Sequence, residues 1–461
     1  MRGRVYVDSV TLLQVSAEVL GLAGVEDAAL VMATELNRDL LLESGLLVGE
    51  AERAGANDLV ISVRAESEAA ARAALAHAEA LLVGRRAPDA EPSAQRPRSL
   101  RSAHRADPEA SLAVISVPGP FAAGEARLAL ADGMHVFLFS DNVALEDEVD
   151  LKCTARERGL LVMGPDCGTA ILNGVGLGFA NVVRRGSIGV VGASGTGIQE
   201  VVSLVHQAGR GISHAIGTGS RDLHAAVGGI TTLAAIALLA EDPQTETIVL
   251  VSKPSDPSVA RTVLRALADT GKRSVVYLQS VDVEVPRGVV HAGDLEEAAR
   301  LALGESPREK SSRASPERQV RGLFCGGTLR EEAAAVLGAG HVLEDLGDDQ
   351  YTRGRAHPII DPTLRNQAIV QAGHDQHVGV LLLDFILGLG AHPDPAGAAL
   401  PAIQQAISAA RSDSRDLSVV AHVVGTDLDP QGLARQEAAL RSAGVRVYGS
   451  NYAAAVAVCA A

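Results

Sequence analysis

The chain has 461 residues, 47% of them hydrophobic but only 2% aromatic, and it has no tryptophan. Its cores must therefore be built from Val, Leu, Ile and Ala, which suits buried parallel strands covered by helices. A net charge of -15 excludes a general nucleic-acid binder, because such a protein needs a basic face.

In chain order, residues 1–86 read as a small α+β domain of ferredoxin-like type. Strands are predicted at Arg4–Val7, Ala28–Met32 and Leu59–Val63, and an Ala-rich helix at Glu66–Leu82. Residues 87–108 are rich in Pro, Ser, Arg and Asp and read as a linker. Residues 109–183 read as a Rossmann-like domain, with strands Ala113–Val117, His135–Phe139 and Leu160–Met163 around helices Ala122–Ala131 and Leu145–Arg158. Residues 184–304 continue as a flavodoxin-type domain, with strands near 188–192, 213–216, 247–251 and 274–278. Residues 305–319 read as a second linker. Residues 320–461 form a third α/β unit, with strands near 321–325, 378–384, 418–424 and 445–448. Strand–helix alternation of this kind makes parallel sheets with right-handed crossovers, whose ligands sit beyond the carboxyl ends of the strands.

The run Ile188–Glu200 carries the strongest chemical signal. An apolar strand enters Ser194-Gly195-Thr196-Gly197, and a helix follows from Ile198. Free backbone N–H groups and the positive end of the helix dipole there make an anion site. The alternative is a plain strand-to-helix turn. Gly217-Thr218-Gly219-Ser220, with Arg221 beside it, is a second such turn, and Gly326-Gly327-Thr328 a third. The four cysteines, Cys153, Cys167, Cys325 and Cys459, show no CxxC spacing and read as free thiols in a reducing compartment. Residues 1–30 lack a signal-peptide pattern, and no apolar run suits a membrane span. The expected location is the cytoplasm.

Several segments resemble the α subunit of succinyl-CoA synthetase and related acyl-CoA synthetases. They are Val117-Pro-Gly-Pro-Phe121, Met163-Gly-Pro-Asp-Cys-Gly-Thr-Ala170, Gly189–Thr196 and Asp242–Leu250, while residues 320–461 resemble a CoA-ligase domain. Within that superfamily the chain is similar to the FdrA family. The matching segments are Asp345–Asp361 with Arg365, Leu383–Pro395, Val424–Gln431 and Gly449-Ser-Asn451. The resemblance implies tandem Rossmann-like and flavodoxin-like parallel-sheet domains of succinyl-CoA synthetase type behind a small N-terminal α+β domain. It also implies a component of an oxamate carbamoyltransferase, converting oxalurate and phosphate to oxamate and carbamoyl phosphate in allantoin breakdown. Other subunits of a hetero-oligomer, and self-association, are implied as partners.

An ATP-dependent synthetase needs a CoA phosphate cradle after its first Rossmann strand, but no glycine lies between Gly84 and Gly119. It needs a phosphohistidine loop, whereas His291 falls on the last strand of its domain and reads as structural. It needs a carboxylate partner for that histidine, and Lys253 stands at the aligned position; an ammonium would bind an anion directly. This pattern favours phosphate-linked carbamoyl transfer over thioester synthesis, with phosphate or carbamoyl phosphate as substrate and CoA and Mg²⁺ not favoured. The competing readings are an acyl-CoA synthetase and a non-catalytic scaffold that binds an anion.

Transfer would need a phosphate cradle, a polarised carbonyl and a clamp for a small planar acid. Lys253, His357 and His392 are the catalytic candidates; both histidines precede proline, and turn punctuation is their alternative. Arg353, Arg355 and Arg365 are candidates for a carboxylate fork. Asp361 is a further binding candidate. It belongs with Asp348, Asp349, Asp384 and Asp394 to a scattered acidic set that would bind a divalent ion if it converged, and otherwise serves as caps and turns. Gln431 and Asn451 could hydrogen-bond an amide, with capping as the alternative.

Overall fold

The computed structural model describes residues 7, 9–56, 58–84, 97, 99–279, 282–308, 316, 318–352 and 356–459. They fall into two compact units, residues 1–95 with 347–364 and residues 96–346 with 365–461.

The first unit is α+β. Helix α1 (Ser9–Leu20) leads to strand β1 (Val25–Met32), helix α2 (Glu35–Glu43), strand β2 (Leu59–Ala65) and helix α3 (Glu68–Gly84). The two strands pair antiparallel, with Leu30 opposite Ile61. Leu12, Val15 and Val19 of α1 meet Leu30, Leu59, Ala74 and Ala78 in one apolar core. The alanines leave α3 a smooth face against the sheet. Of the expected strand Arg4–Val7, only Val7 lies within the described residues.

The second unit holds three sheets. It opens with α4 (Leu100–Ala106), β3 (Leu112–Ile115), α5 (Gly119–Ala131), β4 (His135–Leu138), α6 (Leu145–Glu157) and β5 (Val162–Met163). The strands form a small parallel sheet in the order β3-β4-β5. The reading of 87–108 as linker is corrected over its second part. Ser99 and Ser102 form a reciprocal N-terminal cap for α4, and Leu100 packs onto the core under α5.

The next segment holds β6 (Thr169–Leu172), β7 (Val175–Gly178), β8 (Arg185–Gly192), α7 (Gly195–Gln207), β9 (Ile212–Gly217), α8 (Ile230–Glu241), β10 (Thr247–Ser252), α9 (Pro257–Asp269), β11 (Arg273–Leu278), β12 (Val289–His291) and α10 (Leu295–Ala302). Its sheet runs β12-β11-β10-β8-β9-β6-β7. The β6–β7 hairpin joins antiparallel at β9, with Ile171 opposite Ala215. Residues 169–178 therefore belong to this sheet and not to the Rossmann-like segment that the boundary at 183 assigned them to.

The last segment holds β13 (Gln319–Phe324), α11 (Gly327–Leu337), β14 (Val342–Asp345), α13 (Thr363–His374), β15 (Val378–Ile386), α14 (Pro395–Ser412), β16 (Ser418–Val424), α15 (Leu433–Ser442), β17 (Arg446–Tyr448) and α16 (Asn451–Cys459); the short α12 (Asp349–Thr352), between β14 and α13 in the chain, belongs to the first unit. Its parallel sheet is ordered β14-β13-β15-β16-β17. Counted from each segment's first parallel strand, both large sheets have the flavodoxin order 2-1-3-4-5, which puts a crevice beyond the ends of strands 1 and 3. In the middle sheet those strands are β8 and β10; in the last they are β13 and β15. No helix among the described residues is long and apolar enough to cross a membrane.

Candidate anion site between two helix N-termini

The turn after β8 and the turn after β13 meet. Ser194 caps α7, its Oγ accepting from Gly197 N at 3.0 Å, and the same Oγ lies 2.5 Å from Thr328 Oγ1 in the first turn of α11. A Cβ on Gly326 would sit 2.5 Å from Thr196 Oγ1, so only glycine lets the two turns come this close. Each helix start leaves donors unspent. Among the described residues, no hydrogen bond is made by the backbone N–H groups of Gly195, Thr196, Gly327 or Thr328. Gly195, Thr196 and Gly327 are half-exposed, as are Lys253 and Asp345.

Lys253 follows β10, the third strand of the middle sheet. Its Nζ lies 3.6 Å, and Asp345 Oδ2 2.6 Å, from the position a Cβ on Gly327 would take. Lys253 Nζ has no hydrogen-bond or ion-pair partner among the described residues. Two helix dipoles and one ammonium thus converge where an anion would enter.

Behind the mouth stands Gln279, 7% exposed, at the end of β11. Its Nε2 donates to Thr328 O and to Tyr277 Oη, each at 3.1 Å, while its Oε1 has no partner. Its signal in the sequence is a polar residue closing an apolar strand.

The other candidates lie elsewhere. The second glycine turn is a packed joint and not a cradle: a Cβ on Gly217 would fall 2.3 Å from Thr169 O and 2.5 Å from Cys167 Sγ. Thr218 is fully buried, and its carbonyl accepts from Lys152. Arg221 is held by Glu148 Oε2 and Val143 O. Its partner Glu148 also binds Lys152, which in turn binds Asp222 at 2.7 Å, all three fully buried.

Arg365, expected to fork a substrate carboxylate, is 1% exposed. Its Nη1 donates to Asp384 O at 2.6 Å and to Cys325 Sγ at 2.9 Å, and its guanidinium lies over the Phe385 ring. Asp384 accepts from Cys325 N, and burial pushes its carboxyl up to about 6. Burial raises the thiols of Cys167 and Cys325 as well, which disfavours nucleophilic roles. Gln431 is a tether: its Oε1 accepts from Gly388 N and its Nε2 donates to Gly388 O and His392 O. His392 Nδ1 accepts from Asp394 N, and Asp394 caps α14.

His357 and Asp361 lie in the first unit. His357 Nδ1 accepts from Ile359 N, and Asp361 Oδ1 accepts from Thr363 N and Oγ1. Arg353 and Arg355 lie outside the described residues. Asp348 accepts from Gln350 N, and no group of three acidic, His or Cys side chains that could hold a metal occurs among the described residues. His291 is on β12, at the sheet edge, with its side chain exposed.

Asn451, expected at an amide, lies in the buried joint between α7 and α11. Its N donates to Glu200 Oε1, and its Nδ2 to Leu329 O and Glu332 Oε2.

Comparison with known proteins agrees with this architecture. The chain is 42% identical to the uncharacterized protein YahF of Escherichia coli K12, over 97% of this chain and 95% of that one. The chain belongs to the FdrA-like family of succinyl-CoA synthetase α-like proteins. Family profiles match in three places: "AllF, heavy metal-associated domain" at residues 1–98, "CoA binding domain" at 183–279 and "CoA-ligase" at 323–461. The mitochondrial succinate–CoA ligase [ADP-forming] subunit alpha-2 of Trichomonas vaginalis is 30% identical over 41% of this chain and 62% of its own length. Among solved structures, the dinucleotide-forming acetyl-coenzyme A synthetase 1 of Ca. Korarchaeum cryptofilum matches at 17% identity and TM-score 0.35, over 76% of this chain and 82% of that one. The CoA-binding match includes the Ser194–Gly197 turn, and the CoA-ligase match includes Gly326–Thr328. The metal named in the first profile does not fit this chain. Residues 1–98 hold no cysteine and a single histidine, the exposed His77, whereas soft metals need thiolate or imidazole clusters.

Proposed function

We propose that this FdrA-like chain binds a phosphate or acyl phosphate between the N-termini of α7 and α11 and serves phosphate-linked acyl transfer without a phosphohistidine. The observation that carries this is the meeting of four N–H groups and the ammonium of Lys253, none of which has a partner among the described residues. In this reading the N–H groups and Lys253 hold the phosphate, one of whose oxygens attacks the carbamoyl carbon; the bond from that carbon to the oxamate nitrogen breaks, and the nitrogen takes up the proton that hydrogen phosphate gives up. The transferred group would be a carbamoyl group, taken from a small planar acid such as oxalurate, with other subunits completing the reaction in the cytoplasm. The family resemblance supports that choice.

Titration calorimetry with orthophosphate and with carbamoyl phosphate tests the reading. Lys253→Met should weaken both by about 1–3 kcal/mol, the range for a charge-assisted contact. No binding of either ligand by the wild type would sink it.

A second reading, an acyl-CoA ligase, is favoured by the CoA-binding match over residues 183–279. The Ser194–Gly197 turn would then hold a phosphate group of CoA, which would supply the thiol that accepts the acyl group. Labelled ATP with CoA separates the two readings. Acid-labile label on His291 would restore the ligase; the proposal expects none, because that side chain sits exposed on the edge strand β12.

A further inference from the structure

The N–H groups of the site come from two helices on two different sheets, and one asparagine is bonded to both helices. Asn451 N donates to Glu200 Oε1 of α7 at 3.1 Å, and Asn451 Nδ2 donates to Glu332 Oε2 of α11 at 2.7 Å. We propose that Asn451, with Glu200, Glu332 and His422, is a positioning set that fixes the angle between α7 and α11, and so the geometry in which an anion is held. This rests on the anion-site reading above.

The set is closed and buried. Glu200, Glu332, His422 and Asn451 are each at most 2% exposed. Tyr448 O can only accept, so His422 Nδ1, 3.0 Å away, carries a proton. His422 Nε2 faces Glu200 Oε2 at 2.7 Å, so a second proton lies between ring and carboxylate. Glu332 Oε1 accepts from Leu295 N at 2.7 Å, which joins α10 to the set. Such a group is costly to bury unless every atom is matched, and here the matching crosses from one sheet to the other.

Its placement explains why it would act on the anion. Glu200 is five residues into α7 from Gly195, and Glu332 five into α11 from Gly327. At 1.5 Å per residue each lies about 7.5 Å below its helix start. The Ser194–Thr328 contact joins the helices at the mouth, and Asn451 joins them below it. One contact alone is a pivot; two fix the angle. Hydrogen bonds to an anion weaken steeply with small errors in donor placement, so a tilt would be read as lost affinity.

The probe is orthophosphate, with affinity measured by calorimetry on the full chain and the fold followed by circular dichroism and melting temperature. At pH 9, above the value of about 8 to which burial raises Glu332, Asn451→Asp sets two acceptors against each other and should weaken binding at least tenfold. Asn451→Asp combined with Glu332→Gln reverses the donor and acceptor of that bond and should recover at least threefold of the lost affinity, the bond to Leu329 O staying lost. A residue that merely stabilised the fold would give affinity that follows the melting temperature and not the polarity swap. His422→Gln keeps a donor toward Glu200 and should give a smaller loss; it remains informative if Asn451→Asp does not fold. Folded variants that all bind within twofold of wild type overturn the positioning set and leave the anion site standing. So does a double variant that regains nothing. A wild type that binds no phosphate removes the anion site itself, and this inference with it.

Discussion

At the scale of single residues, the same residue types play opposite parts according to what surrounds them. Lys253, beside two helix starts, has no partner among the described residues. Lys152 is fully buried and spends its ammonium on Glu148, Asp222 and Thr218 O. Arg365 follows Lys152: its charge faces Asp384 at 3.5 Å, and both residues are sealed from water. Removing one member of such a pair strands the other in low dielectric. Arg365→Met should therefore cost about 3–5 kcal/mol of stability, seen as a lower midpoint in urea unfolding. A loss below 1 kcal/mol would return Arg365 to the list of ligand-binding candidates. Sequence could supply the arginine but not this distinction, because the partner Asp384 is nineteen residues away on another element. Lys253 was legible because it ends a strand where the resemblance calls for a carboxylate.

At the scale of elements, the strand-to-helix turns carry the site, and two glycines show how a turn differs from a helix face. Gly326 precedes α11 and has Thr196 Oγ1 2.5 Å from where its Cβ would stand; Gly124, inside α5, has nothing within 4 Å. Gly326→Ala should push the two turns apart and lower phosphate affinity. Gly124→Ala should leave affinity alone and raise stability by roughly 0.5–1 kcal/mol, because alanine loses less backbone entropy in a helix. Calorimetry and thermal melts on the pair decide; equal phosphate binding in both variants would show that the close approach at Gly326 is dispensable. The Ser194–Gly197 turn was readable from glycine spacing after an apolar strand. Its encounter with Gly326–Thr328 was not, since nothing local encodes which two turns of two sheets will face each other. The same limit explains the misplaced hairpin at 169–178. Its residues read as the end of one domain, while its edge pairs with β9 of the next sheet. The capped helix α4 was missed for a different reason: Ser and Arg content suggested a linker, and the reciprocal Ser99–Ser102 cap uses those same polar residues to start a helix.

At the scale of the whole molecule, the second unit buries carboxyl groups in its joints, and this gives its stability a sign with pH. Burial pushes Glu332 up to about 8 and Asp294 up to about 6, against ordinary values near 4. Asp384 is also raised to about 6, with Arg365 opposing the effect of burial. The charge of Glu200 and its hydrogen bond to His422 outweigh burial and hold the imidazole above its usual value. All four groups keep protons in the folded chain that the unfolded chain has already released. Where the folded state binds more protons, stability falls as pH rises. The aspartates that shift the other way, Asp242, Asp256 and Asp427, are held below 3.8 chiefly by hydrogen bonds from Thr245, Ser258 and His206, so they act only in acid. Across pH 6 to 9 Glu332 and His422 set the slope, opposed near pH 6 by His135, His214 and His341, whose imidazoles burial holds below their usual value. The melting temperature should decline over most of that range and keep falling above it, where burial holds the thiols of Cys167 and Cys325 protonated after the unfolded chain has begun to release theirs. Glu332→Gln removes one of the two titrations and sets its amide NH2 against Asn451 Nδ2 while its oxygen still accepts from Leu295 N, so its profile should be flatter than that of wild type, with an offset that persists toward low pH. A wild-type profile that rises from pH 6 to 9 would mean that Glu332 is ionised in the folded protein, and the bond from Asn451 would then be a charge-assisted one across the joint of α7 and α11.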